Sequence, residues 1–276
     1  MNNNIFKLKL ILMCLIFTTG ISVSNAKLVQ DIRSVEQLMS SQLLEWADSD
    51  TMILIEVDNT IVAPKSDMFS HKDNPYKGFI SSLVKLGKKN NEYNQIVANW
   101  YQKREIKILD QKWVELVSLL KDRGAKVFGV CSMPLRLVNI EQKRLAELSA
   151  LGINFTSEIN KKNQFIIKSQ TDWASRFYNG IIFTGRYSQT RTVLDFLRET
   201  YIPKKLLFIS HKLHELKNID KKLRVFNMDF YSVHYSGMKY VSKKPMDSVV
   251  KFQQRELLQN NRWIEDEEVK NILGLN

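Results

Sequence analysis

Cysteine is almost missing from this chain: its 276 residues hold two, Cys14 and Cys131, too few for a disulfide framework. Glycine and proline are also sparse, at 10 and 5 residues, which excludes collagenous and low-complexity polymers. Acid is the deficient charge, with 29 Asp and Glu against 41 Lys and Arg and a formal net charge of +12. The lysines are scattered, and no RNP, zinc-finger or helix-turn-helix signature accompanies them. The surplus is therefore read as background composition and not as a nucleic-acid surface. A hydrophobic fraction of 44% and a charged fraction of 25% exclude disordered and multi-span membrane chains and leave enough apolar material for a large core.

Residues 1–26 read as a secretory signal peptide. Lys7 and Lys9 form the charged start, Leu10 to Phe17 an apolar stretch too short to span a bilayer, and Ser24-Asn25-Ala26 a cleavage site with small residues at its key positions. Cleavage after Ala26 predicts an exported protein, periplasmic or secreted, with no stable membrane span and a single cysteine; an uncleaved anchor is the alternative. The mature chain would carry 39 basic and 29 acidic residues.

Short apolar runs bounded by turn residues predict strands at Met52–Val57, Lys126–Cys131, Gly180–Thr184, Lys205–Ser210 and Leu223–Met228, with an added edge strand at Tyr231–Tyr235. Helical periodicity falls between them, over Lys112–Asp122, Leu135–Leu151 and Thr192–Glu199. This alternation predicts an α/β fold, a doubly wound parallel sheet whose sites gather at the carboxyl ends of its strands. Nearly seventy residues separate the first two strands, far more than one crossover helix needs. A small helical cap is expected at about 70–110, within a core of 27–69 and 111–245. Two C-terminal helices are expected over 246–276, with Trp263 as a packing anchor. Ser157–Gln170 reads as a hairpin or a loop excursion.

The stretch Ile53-Leu54-Ile55-Glu56-Val57-Asp58-Asn59-Thr60 carries the chemistry. Strand alternation puts Glu56 and Asp58 on one side, aimed into one crevice. Two close carboxylates repel unless a cation or a shared proton relieves them, which points to Mg²⁺; the structural alternative is that Asp58 caps a turn and Glu56 is solvated.

This stretch resembles the first motif of the haloacid dehalogenase-like (HAD) superfamily, an apolar strand ending Asp-x-Asp-x-Thr, here Glu-x-Asp-x-Thr. The resemblance extends to the cap-sized insertion, to Val127-Phe128-Gly129-Val130-Cys131-Ser132-Met133-Pro134 and to Asn179-Gly180-Ile181-Ile182-Phe183-Thr184-Gly185. The C-terminal Lys251-Phe252-Gln253-Gln254 and Trp263-Ile264-Glu265-Asp266-Glu267-Glu268 look like the tail of a secreted bacterial branch known as a domain of unknown function (DUF2608). Coverage runs from about Leu28 to the C-terminus.

Carried over by position, the resemblance implies Glu56 as the stand-in for the nucleophile and Asp58 as general acid and base. It implies Thr60 and Cys131, or Ser132 one residue on, around the phosphoryl group. The third-motif lysine falls near Thr190, leaving Arg191 as the nearest cation, and Ser210 and His211 replace the fourth-motif acids. Glu56 and Asp58 alone would remain to hold Mg²⁺, so the resemblance implies a degenerate phosphotransferase centre that binds a phosphorylated or other anionic small molecule, or a protein partner. The alternative is a Mg²⁺-dependent phosphohydrolase using Glu56 and Asp58. A further alternative reads Glu56, Asp58, Cys131 and His211 as a Zn²⁺ site, or Cys131 as a nucleophile paired with His211. His71, His214, His234 and Arg186 are read as surface or structural residues.

Overall fold

The computed structural model describes residues 27–69, 75–76, 78–133, 139–168, 174–185, 187–240 and 243–275. The expected signal peptide, His71, Arg186 and the first part of the predicted Leu135–Leu151 helix lie outside the described residues.

An eight-stranded sheet organises the fold, in the order β1 (Lys27–Ile32), β10 (Asp229–Tyr235), β9 (Lys205–Ser210), β2 (Thr51–Glu56), β5 (Lys126–Cys131), β8 (Ile181–Phe183), β7 (Ser175–Tyr178) and β6 (Gln164–Lys168). The first six run parallel, and β7 and β6 extend the sheet antiparallel. The protein is therefore an α/β fold with a mostly parallel sheet. β2 is buried at every residue, as a strand covered on both faces must be. Met52 and Leu54 pack with Val193, Phe196 and Leu197 of α7 (Gln189–Glu199) and Leu216 and Ile219 of α8 (Leu213–Leu223). Ile53 and Ile55 face the opposite core with Trp113, Leu116 and Leu120 of α5 (Lys112–Asp122) and Ile140 and Leu148 of α6 (Ile140–Ala150).

Two expectations need correction. Leu223–Met228 is not a strand: Leu216, Ile219 and Leu223 form the buried stripe of α8, and Val225 beyond it is 80% exposed. Nor is Tyr231–Tyr235 an edge, because it lies in β10 between β9 and β1. The edge is β1, whose short Lys-Leu-Val-Gln-Asp-Ile sequence lacks the apolar run of a central strand. The stretch expected as a hairpin or loop supplies β6, antiparallel to β7.

Between β2 and β5 the chain makes an antiparallel pair, β3 (Val62–Pro64) with β4 (Ile106–Ile108), that brackets α3 (Phe79–Leu86) and α4 (Asn91–Lys103). Two helices follow the sheet, α9 (Asp247–Asn260) and α10 (Asp266–Leu273), and they fasten the root of that insertion. Asp266 Oδ2 accepts from Asp67 N at 2.8 Å, and Glu265 Oε1 accepts from Glu105 N at 2.8 Å. Trp263 packs near Phe69 and Trp100, at ring-centroid distances of 5.9 and 6.3 Å. Gln253 is buried on α9 and donates to Ile264 O and Asp266 Oδ1. None of the described helices is long and apolar enough to cross a membrane.

β7 and β8 are joined by Asn179-Gly180, with φ of 42° and 86° at the two residues, the left-handed pair that a two-residue hairpin turn demands. A Cβ at Gly180 would lie 2.7 Å from Thr156 O and 2.9 Å from Phe155 Cβ. Gly180→Ala is therefore expected to cost about 1–3 kcal/mol in chemical denaturation. An unchanged midpoint would show that this turn relaxes freely.

Candidate functional site

Three neighbouring parallel strands, β9, β2 and β5, end in Ser210, Glu56 and Cys131, so their carboxyl ends converge where α/β sheets form binding crevices. Glu56 is 1% exposed, and a carboxylate so far from water has to be matched by donors. Lys212 Nζ stands 2.6 Å from Oε1, and Gln189 Nε2 donates to the same oxygen at 2.5 Å. Ser210 Oγ donates to Oε2 at 2.5 Å, with His211 Nδ1 2.8 Å away. Burial alone would raise the pKa of Glu56. The hydrogen bond and charge of His211, followed by the charge of Lys212, outweigh it and bring the group down to about 2.

The donors are fixed in turn. Thr60 Oγ1 accepts from His211 N at 3.2 Å, and Ser210 Oγ accepts from Lys212 N at 2.9 Å. Gln189 opens α7, and its Nε2 also reaches Ser132 Oγ at 3.3 Å.

Asp58 has a different set of partners. β2 ends at Glu56, Asn59 takes φ 61°, and the alternation that predicted a shared side stops with the strand. A third of the Asp58 side chain remains exposed, while Arg144 Nη2 donates to its Oδ1 at 2.7 Å and Cys131 Sγ to its Oδ2 at 3.1 Å. Burial pushes the carboxyl up, but Arg144 first, then Arg104, hold it below its ordinary value. Arg144 is fully buried on α6; its Nε donates to Met133 Sδ at 3.1 Å and its Nη1 lies 3.5 Å from Glu147. Arg104, 3% exposed just after α4, stands 3.6 Å from the same Glu147.

Five expected residues, Glu56, Thr60, Ser132, Ser210 and His211, thus form one network, and Asp58 with Cys131 forms another beside it. Arg191 joins neither: its Nε donates to Asp195 Oδ2 at 3.0 Å and its side chain is half exposed. Lys212 is the cation against Glu56. Cys131 is fully buried, and burial together with the charge of Asp58 pushes its thiol well above the ordinary value. It is therefore a thiol donor to Asp58 and not a nucleophilic thiolate. Among the described residues, no group of three or more His, Cys, Asp or Glu side chains could hold a metal ion, against the Zn²⁺ alternative. His214 is exposed, and His234 contacts Asp31 and the His211 carbonyl.

The sequence reading missed Lys212, Gln189, Arg144 and Arg104. Arg144 left a signal, since it sits between Ile140 and Leu148 at helical spacing, a charge inside an apolar stripe. Lys212 adjoins residues already singled out. Gln189 and Arg104 left none.

The two networks border a cleft of about 560 Å³. Its polar residues include Asp58, Asn59, Ser132, Lys212, Arg104, Lys85 and Lys88, and Phe69, Ile80, Val84 and Trp100 of the insertion form an apolar wall. The residues do not fit Mg²⁺, which completes its octahedron with waters but needs at least one or two carboxylates free to coordinate it. Both oxygens of Glu56 and both of Asp58 already accept from protein donors, and Lys212 and Arg144 place positive charge against those carboxylates.

The carboxylates make two predictions. Glu56 contributes stability above its ordinary pKa of 4.5, lost as pH falls toward about 2. Urea titrations from about pH 5 downward should lose on the order of 3 kcal/mol on this account, a loss that Glu56→Gln abolishes. Arg144→Met takes from Asp58 its ion-pair partner, while Arg104 and Lys143 still face Glu147, and should cost about 3 kcal/mol in the same measurement at neutral pH. A variant as stable as the parent would mean that Asp58 turns to solvent instead.

Among solved structures, that of a class C acid phosphatase from Bacillus anthracis with tungstate bound is similar over 83% of this chain and 86% of that one, at 11% identity and a TM-score of 0.34. Among curated proteins, Rickettsia prowazekii (strain Madrid E) has one called Uncharacterized protein RP296, 32% identical over 272 residues, 97% of this chain and 98% of that protein. Residues 29–270 match the family described as "Protein of unknown function (DUF2608)". The chain belongs to the DUF2608 family.

Proposed function

We propose that this is an exported HAD-like protein whose phosphotransferase centre has lost turnover and serves to bind an anionic, phosphorylated small molecule. The observation that carries the reading is the state of Glu56. A nucleophile needs a free lone pair about 3–3.5 Å from the electrophile in a near-attack geometry. Glu56 is 1% exposed, and four donors occupy its two oxygens. By the Glu-x-Asp-x-Thr resemblance Glu56 stands in for the HAD nucleophile, but its environment is that of a structural anion.

The cleft retains the chemistry of binding. Lys212, Arg104, Lys85 and Lys88 line it against the single acid Asp58, which favours an anion. The apolar wall of Phe69, Ile80, Val84 and Trp100 suits an apolar or aromatic body attached to that anion. The amino-terminal pattern of residues 1–26 supports export.

A turnover assay tests the reading. Mature protein with p-nitrophenyl phosphate and Mg²⁺ should release nitrophenol no faster than the Asp58→Ala variant. Turnover that Asp58→Ala abolishes would establish the phosphohydrolase alternative. Equilibrium titration with phenyl phosphate should show saturable binding, weakened about tenfold by Arg104→Ala. Absence of binding would leave a protein partner as the role of the cleft.

A further inference from the structure

The carboxylates of Glu56 and Asp58 demand positive charge, and the chain supplies it from its own sequence. Lys212 Nζ contacts Glu56 Oε1 at 2.6 Å, with 29% of its side chain exposed, and lines the cleft beside Asp58, Asn59 and Ser132. An ammonium has three N–H donors. Its geometry is anchored from behind, because Lys212 N donates to Ser210 Oγ and that hydroxyl donates to Glu56. Across the same cleft stands Arg104, 3% exposed, whose buried Nε has no hydrogen-bond partner and whose guanidinium lies 5.0 Å from the Trp100 ring centroid. Its Nη2 stands 3.6 Å from Glu147 Oε2, and the Nε N–H that remains unpaired shows that the guanidinium's donors are not all used.

We propose that Lys212 is a tethered cation that takes the charge-neutralising place of a divalent metal ion, so that the cleft holds a phosphorylated anion between Lys212 and Arg104 without metal. This rests on the anion-binding reading of the cleft and goes beyond it by assigning the counter-ion. An ammonium supplies charge and directed donors but no coordination sphere in which a phosphoryl oxygen is polarised. The arrangement therefore gives occupancy without the Lewis-acid assistance that phosphoryl transfer draws from a metal.

Calorimetric titration of the mature protein with phenyl phosphate, in excess EDTA and separately in millimolar Mg²⁺, tests the proposal. The expected result is the same dissociation constant in both buffers within about twofold, with about tenfold or greater weakening in Lys212→Met. Because Lys212→Met leaves Glu56 short of one donor, the Glu56→Gln/Lys212→Met double variant is titrated beside it, with its fold checked by circular dichroism; it should show the same weakening. The Lys212→Asp variant should acquire a Mg²⁺-dependent rise in melting temperature that the parent lacks. Binding that appears only with Mg²⁺, or that survives in both Lys212→Met variants, overturns the tethered-cation assignment and leaves the anion-binding reading standing. No binding in either buffer overturns the anion-binding reading and this inference with it.

Discussion

The burial of one carboxylate, Glu56, constrains everything around it. A charged oxygen pair withdrawn from water is tolerated only when each lone pair finds a donor. The end of β9 supplies Ser210 and the loop after it supplies His211 and Lys212, while the start of α7 supplies Gln189. Thr60 then fixes the turn that carries His211. The carboxyl edge of the sheet is arranged to satisfy an anion that belongs to the protein itself.

The charges divide into two systems on opposite sides of β2. Glu56 lies with α7 and the β9 loop, and Asp58 with Arg144, Arg104 and Glu147 toward α6 and α4. The cleft opens where the systems meet, and Lys212 acts on both acids. Its outer wall comes from the insertion, whose root is held by the side chains of Glu265 and Asp266 on backbone N–H groups. The C-terminal helices thereby fix the position of Trp100 and Phe69 relative to the sheet, and the shape of the cleft depends on residues more than a hundred positions away in sequence.

The central strands were legible because burial on both faces forces continuous apolar runs: Lys126–Cys131 and Lys205–Ser210 match β5 and β9 residue for residue. Outer elements were not. β1 carries too few apolar residues to stand out, and Leu223–Met228 misled because Val225, Phe226 and Met228 of the turn between α8 and β10 follow the last buried leucine of the helix and read as one apolar stretch. Within the site, Glu56, Thr60, Ser132, Ser210 and His211 were legible as strand-end residues. The expectation that Arg191 supplies the cation followed position along the chain. α7 instead turns Gln189 toward Glu56 and leaves Arg191 to pair with Asp195 one helical turn on.

The sequence by itself determined an α/β sheet, an insertion after its first continuously apolar strand and a group of strand-end residues poor in acid. Those properties follow from local periodicity and from chain order. Only the tertiary structure decided that Glu56 is a sealed anion, that Lys212 neutralises it and that Arg144 and Arg104 close on Asp58. Electrostatic pairing depends on distances between segments that sequence spacing does not fix, and a shift of one residue along a loop or a hundred degrees around a helix selects a different partner.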